Sequence, residues 1–263
     1  MGETILLIHG FPTASWDWHR LWLPLSERFR LIACDMLGFG FSDKPREHNY
    51  SVIEQADLQE AFVKQMRVRE VHLLVHDYGV SVAQELLARQ LENRLSFQIK
   101  TVCFLNGGLF PEQHRARLVQ RLLNSPLGPL LSKRFRFAHL TKSFMEIFGQ
   151  NKPSEEELLD FWRLIAYQGG HRILHLLIHY INDRRRFRDR WLEALQKSTV
   201  PMLLINGVDD PVSGGHMADH YEKVVPHPHV VRLAGVGHYP QVEAPEAVLK
   251  NYYTLFEPHE NNV

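Results

Sequence analysis

The stretch Val71-His72-Leu73-Leu74-Val75-His76-Asp77-Tyr78-Gly79-Val80-Ser81-Val82-Ala83-Gln84-Glu85-Leu86-Leu87 changes its periodicity in the middle. The opening run, apolar except for His72, has the pattern of a strand covered on both faces. From Val82 the apolar residues return at helical spacing through Leu86 and Leu87, and that helix should end near Asn93. Between the two lies only His76-Asp77-Tyr78-Gly79. A strand that passes so abruptly into a helix presents its tip residue, Asp77, at the carboxyl edge of the sheet, where open α/β sheets bind ligands. The same residues also fit an ordinary β–α turn in which Asp77 caps the helix. A second register, Gly79-Val80-Ser81-Val82-Ala83, would put Ser81 at the tip only if the strand ran on through Asp77, Tyr78 and Gly79. The apolar run ends at Val75, so Ser81 is expected one turn into the helix.

Working outward, further buried-strand runs occur over residues 5–8, 31–34, 101–105, 201–205 and 229–233. Ser51 with Glu54 is a capping-box signature and opens a helix to about Met66; Pro153-Ser154 with Glu157 opens another. A final helix spans about residues 245–256. From 109 to 198 no convincing strand appears, and Leu, Phe and Arg recur at helical periods. Strands alternating with helices predict an α/β fold, a mostly parallel sheet with helices on both faces. Residues 1–108 and 199–263 would form this core, with a helical cap over 109–198 inserted between the fourth and fifth strands named here.

The chain has 263 residues, 44% of them hydrophobic, with 30 basic against 30 acidic side chains. That composition is ordinary for a globular protein, and the zero net charge argues against a nucleic-acid or anionic-membrane binder. No stretch approaches the roughly 18 consecutive apolar residues of a membrane span. The first residues show neither a basic signal-peptide region nor a myristoylation pattern. Cys34 and Cys103 fall in strand runs and suit a reduced interior better than a disulfide. A cytoplasmic protein is the expectation.

Sixteen histidines invite a metal reading. His171, His175 and His179 recur at intervals of four, one helical face, and His216 and His220 share that spacing. No Cys, Asp or Glu joins the first row, which is read as lining the cap's inner face, and no metal is expected there or at His216 and His220. The run Arg184-Arg185-Arg186-Phe187-Arg188-Asp189-Arg190 is short and lies in a helical region. It is read as a solvated face or salt-bridged hinge rather than a nucleic-acid patch. Gly38-Phe39-Gly40 lacks the third glycine and the context of a dinucleotide site.

Two more motifs follow strands directly. Gly235-Val236-Gly237-His238-Tyr239-Pro240 puts a histidine on a glycine-lined, flexible loop from which it could swing next to Asp77. Asn206-Gly207-Val208-Asp209-Asp210 offers a carboxylate, Asp210, that could orient the histidine and stabilise its imidazolium form. In chain order Asp77, Asp210 and His238 run nucleophile, acid, histidine, each at a strand's end.

With His9-Gly10-Phe11-Pro12 and Leu37-Gly38-Phe39-Gly40-Phe41-Ser42-Asp43-Lys44-Pro45, these motifs resemble the α/β-hydrolases of the epoxide hydrolase–haloalkane dehalogenase branch. Asn106-Gly107-Gly108-Leu109-Phe110-Pro111-Glu112 is similar to the subgroup of the mesoderm-specific transcript proteins and their bacterial relatives. The likeness covers essentially the whole chain.

It implies cofactor-free hydrolysis of a small apolar electrophile through an ester on Asp77. His238, oriented by Asp210, would activate water, and the backbone N–H groups of Phe11 and Tyr78 would hold the oxyanion. Haloalkane dehalogenases usually carry Asn and Trp where this chain has Phe11 and Tyr78, so the epoxide branch is favoured. That branch uses two cap tyrosines, for which the cap offers Tyr180, near the family's second position, and Tyr167. The alternatives are a haloalkane or haloacid dehalogenase, a carboxylesterase using Ser81, and a non-catalytic binder of apolar ligands. Two departures stand out. Val75 occupies a position that is normally small, and the family's two upstream antiparallel strands have no counterpart before residue 5.

Overall fold

The computed structural model describes residues 2–257. The first half of the core runs β1 (Thr4–Ile8), α1 (His19–Ser26), β2 (Arg30–Ala33), α2 (Val52–Gln65), β3 (Glu70–Val75), α3 (Tyr78–Leu91) and β4 (Gln98–Phe104). Seven helices follow: α4 (Leu118–Leu123), α5 (Gly128–Arg134), α6 (Phe137–Ile147), α7 (Glu155–Ala166), α8 (Leu174–Leu177), α9 (Tyr180–Arg186) and α10 (Arg188–Lys197). The chain then returns through β5 (Met202–Gly207), α11 (Gly215–Val224), β6 (Val230–Leu233), α12 (Pro240–Glu243) and α13 (Pro245–Tyr253). Among the described residues the strands form one sheet, parallel throughout, in the order β2-β1-β3-β4-β5-β6.

Both faces of this sheet are covered, which is why its strands read as continuous apolar runs rather than alternating ones. Leu6, Ile8, Leu73, Val75 and Phe104 pack toward α2, α3 and α11. Ile5, Leu7, Leu74, Cys103 and Ile205 pack with Leu21 and Leu25 of α1 and Val248 and Tyr252 of α13. The expected caps are present. Ser51 Oγ accepts the Glu54 N–H at 3.1 Å, and Ser154 with Glu157 closes a reciprocal capping box on α7. β5 runs two residues past the apolar pattern because Asn206 and Gly207 still pair with Arg232 and Leu233.

Two features set the site. The chain goes from β1 outward to β2 and then crosses to β3 on the other side of β1. The strand order therefore reverses between β1 and β3, and the crevice beyond their carboxyl ends is the preferred ligand position of such sheets. Over that crevice lie helices of the 109–198 segment. Residues 171–179 are not one helix, contrary to the expectation from their spacing. Gln168 and Gly169 take left-handed conformations (φ 49° and 77°), and the chain proceeds by a tight turn, the short α8 and a fresh start at α9. The three histidines therefore do not lie on one continuous helix. No helix of the described residues is long and apolar enough to cross a membrane.

Candidate active site

β3 ends at Val75 and α3 begins at Tyr78, so the reversal is made by His76 and Asp77 alone. Asp77 takes φ 41°, ψ −99°, a conformation that costs a non-glycine residue about 1–3 kcal/mol and persists only where the surroundings enforce it. What enforces it is packing against the β1 end. Gly79 lies so close to that strand that a Cβ there would stand 2.3 Å from the Ile8 carbonyl oxygen. The Gly79 N–H donates to His9 O at 3.0 Å and the Asp77 N–H to Asn106 O at 2.9 Å. Val75 is fully buried and keeps its register with Ile8 and Phe104.

The Asp77 side chain makes no cap bond to α3. An ordinary capped turn is thus not what these residues form. Instead Oδ2 accepts the backbone N–H of Phe11 at 3.1 Å. Tyr78, as the first residue of α3, has an N–H with no carbonyl one turn back to receive it. Ser81 lies inside α3, buried, with its hydroxyl accepting Arg184 Nε–H at 2.7 Å.

His238 Nδ1–H donates to Asp210 Oδ2 at 2.7 Å. Asp210 is almost wholly enclosed in donors: the Val212 and Ser213 N–H groups, the Ser213 hydroxyl and the Asn106 amide. Burial pushes its carboxyl up, but the adjoining His238 and these bonds outweigh that and hold it well below the usual carboxylate range. For His238 burial works downward; the charge and hydrogen bond of Asp210, then Asp77 and Glu243, win and raise it to about 9.

The histidine loop is not free to swing, as its glycines had suggested. The His238 N–H donates to Ile147 O at 2.9 Å, and His76 Nε2–H donates to His238 O at 2.8 Å. The buried Glu243 carboxylate accepts the N–H groups of Gly149, Gly237 and Tyr239 at 2.6, 2.8 and 2.9 Å. Neither Glu243 nor Asn106 was assigned a role from the sequence, because the backbone groups that Glu243 holds and the Asp210 carboxylate and β5 backbone that Asn106 holds are brought near only by the fold.

The largest correction concerns the arginine run. Arg184 is only 1% exposed and faces Asp77, donating through Nη2 to the Asp77 carbonyl at 2.8 Å and to Oδ1 at 3.3 Å. Arg185 and Arg186 are exposed, while Arg188 pairs with Glu112 and Arg190 with Glu85, so the rest of the run does form the expected salt-bridged surface. Burial pushes the Asp77 carboxyl up, yet Arg184, then His238, His76 and the Phe11 N–H, bring it below its ordinary value. A signal for Arg184 existed. It stands four residues after Tyr180 and so shares its face of α9.

Tyr180 is fully buried, its ring stacked on Tyr78 at 4.6 Å and 5.7 Å from Phe11, with Arg184 4.5 Å over its face. Among the described residues its hydroxyl makes no well-formed hydrogen bond, with Arg184 and Gln120 the polar side chains beside it. Tyr167 is elsewhere: it is 40% exposed and packs against Phe41 and Lys44 at the surface. His114, which the sequence did not suggest, has Nδ1 3.5 Å from Arg184; burial and then that cation push its imidazole down to about 3. Asp77 and His238 open into a cavity floored by Phe11 and Pro12 and walled by Phe135, Leu140, Phe144, Ile147 and Leu174.

A strained acidic tip between β3 and α3, with a buried His–Asp pair after β6 and β5, is the layout of one fold family. A family model described as the alpha/beta hydrolase fold matches residues 3–245. The chain belongs to the α/β-hydrolase fold family. This α/β hydrolase is 44% identical over 259 residues to the mesoderm-specific transcript homolog protein of Homo sapiens, covering 95% of this chain and 77% of that one. It is 41% identical over 245 residues to LipZ, named as a hydrolase, of Mycobacterium tuberculosis, covering 93% and 85%. Among solved structures, the haloalkane dehalogenase DbeA from Bradyrhizobium elkani superposes with a TM-score of 0.80 at 23% identity, over 96% of this chain and 89% of that one. At that identity the superposition speaks for the fold alone.

Proposed function

We propose that this hydrolase opens a small apolar electrophile, an epoxide first of all, through an alkyl ester on Asp77, beneath a lid formed by residues 109–198. The observation that carries the reading is the Phe11 N–H on Asp77 Oδ2. One carboxylate oxygen already occupies the donor site that a tetrahedral oxyanion needs, which leaves Oδ1, held only by the longer 3.3 Å contact of Arg184, to attack. A carboxylate held below its ordinary pKa is ionised at neutral pH and needs no base for this step.

The raised His238 pKa fits the proton bookkeeping of ring opening. The resting site holds an imidazolium between two carboxylates. As Oδ1 bonds to the ring carbon, the carbon–oxygen bond breaks and an alkoxide forms. Esterification removes the charge on Asp77, one of the groups supporting the imidazolium, so His238 becomes a better acid when the alkoxide needs a proton. That proton comes from the His238 imidazolium, which is left neutral, while Tyr180 is the residue we assign to hydrogen-bond the leaving oxygen. The neutral His238 then takes a proton from water, and the hydroxide adds to the ester carbonyl carbon. Its oxyanion lies on Phe11 and Tyr78 N–H. Collapse expels the second alkoxide of the diol, which takes a proton from His238 as the new Asp77 carboxylic acid returns one to the ring, and the cycle ends with Asp77 ionised and His238 protonated as at the start. A halide leaving group takes no proton, so the dehalogenase alternative would require His238 to lose its proton to solvent first.

Single turnover with styrene oxide, and separately with a small haloalkane, in heavy-oxygen water tests this. The Asp77 peptide should gain heavy oxygen in the wild type and retain an alkyl adduct in His238→Ala. If His238→Ala shows no adduct with either substrate, the ester mechanism is wrong. Turnover that survives Asp77→Ala and disappears in Ser81→Ala would transfer the chemistry to Ser81.

A further inference from the structure

Residues 113–145 contain seven arginines and lysines and no aspartate or glutamate, in a chain whose charges balance overall. Arg121, Lys133, Arg134, Arg136 and Lys142 are exposed, and among the described residues the ion pair of this stretch is that of Arg117 with Glu146. Among these cations stand large aliphatic side chains turned to water. Leu118, Leu127, Leu130 and Met145 are 68%, 56%, 49% and 45% exposed. Between α4, α5 and α6 a groove brings Leu118, Leu122 and Leu131 together with Arg134 and Lys142, and an apolar face rimmed by basic residues marks a surface that meets something else. The groove shares Val119, Leu123, Phe135 and Ser143 with the wall of the cavity that holds Asp77 and His238.

We propose that this face docks on an anionic lipid bilayer, and that the groove admits a lipophilic substrate from the bilayer to Asp77. The second half rests on Asp77 being the nucleophile; the first does not. Charge complementarity selects the occupant. Leucines flanked by arginine and lysine are the pattern of an interfacial helix, whose apolar side enters the headgroup boundary while its cations meet acidic lipids. A second copy of the chain is disfavoured, because a two-fold contact would bring the same cations face to face. The zero net charge of the whole chain does not oppose docking. Charges are screened beyond about 10 Å at moderate salt, so the membrane responds to the patch nearest it.

Flotation of the full chain with phosphatidylcholine vesicles, with and without phosphatidylserine, tests the proposal without any need for turnover. The wild type should partition onto the anionic vesicles about tenfold better than onto neutral ones, and added salt should weaken it. Arg134→Glu with Lys142→Glu, and separately Leu118→Ser with Leu122→Ser, should each reduce partitioning about tenfold. Lys250→Glu, exposed on α13, should leave it unchanged. Absence of vesicle binding, equal binding to neutral vesicles, or indifference to either double substitution overturns the docking. Self-association through this face, removed by the leucine substitutions, does so too. Loss of docking with the Asp77 adduct intact would remove this proposal alone. Conversely, docking without an adduct would keep the surface and remove the route.

Discussion

At the sheet's carboxyl edge, Asp77, Asp210 and His238 each follow directly on a strand. Tyr180 and Arg184 reach the same crevice from α9, in a segment with no strand among the described residues. The two regions are equally buried at the site but are ordered in different ways. On the sheet side, hydrogen bonds of adjacent strands fix the backbone, and close packing of Gly79 against β1 aims the side chain. On the helical side the aim depends on which face of a short helix is covered. One buried contact there, Arg184 on Asp77, carries much of the electrostatics of the sheet side.

Removing that contact should have the largest effect. Arg184→Met leaves a buried carboxylate without its cation, which costs about 3–5 kcal/mol where such pairs have been broken. Urea unfolding should show a loss of that order. In protein that still folds, the Asp77 pKa should rise, moving the acid limb of adduct formation to higher pH. Arg184→Lys keeps the charge but not the fork to Ser81 and Asp77, and should restore the pH profile more fully than the stability. An unchanged acid limb in both variants would mean that the helical side does not tune the sheet side.

The same comparison explains what could be read in advance. Parallel strands buried on both faces announce themselves as apolar runs, and the turn residues after them locate Asp77, Asp210 and His238. The caps at Ser51 and Ser154 are equally local. The broken path from His171 to His179 was hidden because a spacing of four looks helical even where the chain is a tight turn, the one-turn α8 and a second turn before α9. Arg184 was hidden by its neighbours, since a run of arginines averages one buried member with several exposed ones. Glu243 was hidden for another reason: its three partners are backbone N–H groups, which leave no pattern in side chains.

The pH dependence of stability provides the next test, and its sign differs for the two kinds of group. His238 is raised from 6.5 to about 9 in the folded chain, so its contribution is complete below about 6.5 and is lost as pH rises through 9. Asp77 and Asp210 are lowered from 3.8, so theirs is present above that value and is lost as pH falls through their folded pKa values. Thermal unfolding should therefore be most favourable to the fold between these limits. His238→Gln should flatten the alkaline decline; a decline that persists unaltered would place the responsible group elsewhere.

Glu243→Gln should cost about 2 kcal/mol, because one amide oxygen replaces a carboxylate that serves three buried N–H groups. As Glu243 touches no reacting atom, it is a positioning residue for His238. Its loss should slow release of the Asp77 ester while leaving ester formation near the wild-type rate, a split that burst kinetics reads directly.

The smallest effect expected is at Val75, where sequence and structure give opposite signs. If a side chain larger than usual strains the turn, Val75→Ala should stabilise the protein. Val75 instead ends β3 in register with Ile8 and Phe104 and is wholly enclosed by the core. The strain of the turn lies at Asp77, two residues on, and is imposed by Gly79 packing on β1 rather than by the valine. Removing two buried methyl groups should therefore destabilise the fold by about 1.5 kcal/mol, with the φ of Asp77 unchanged. A gain in unfolding midpoint would instead show that β3 and the turn are mechanically coupled, and that part of the sheet's packing is spent on holding Asp77 in place.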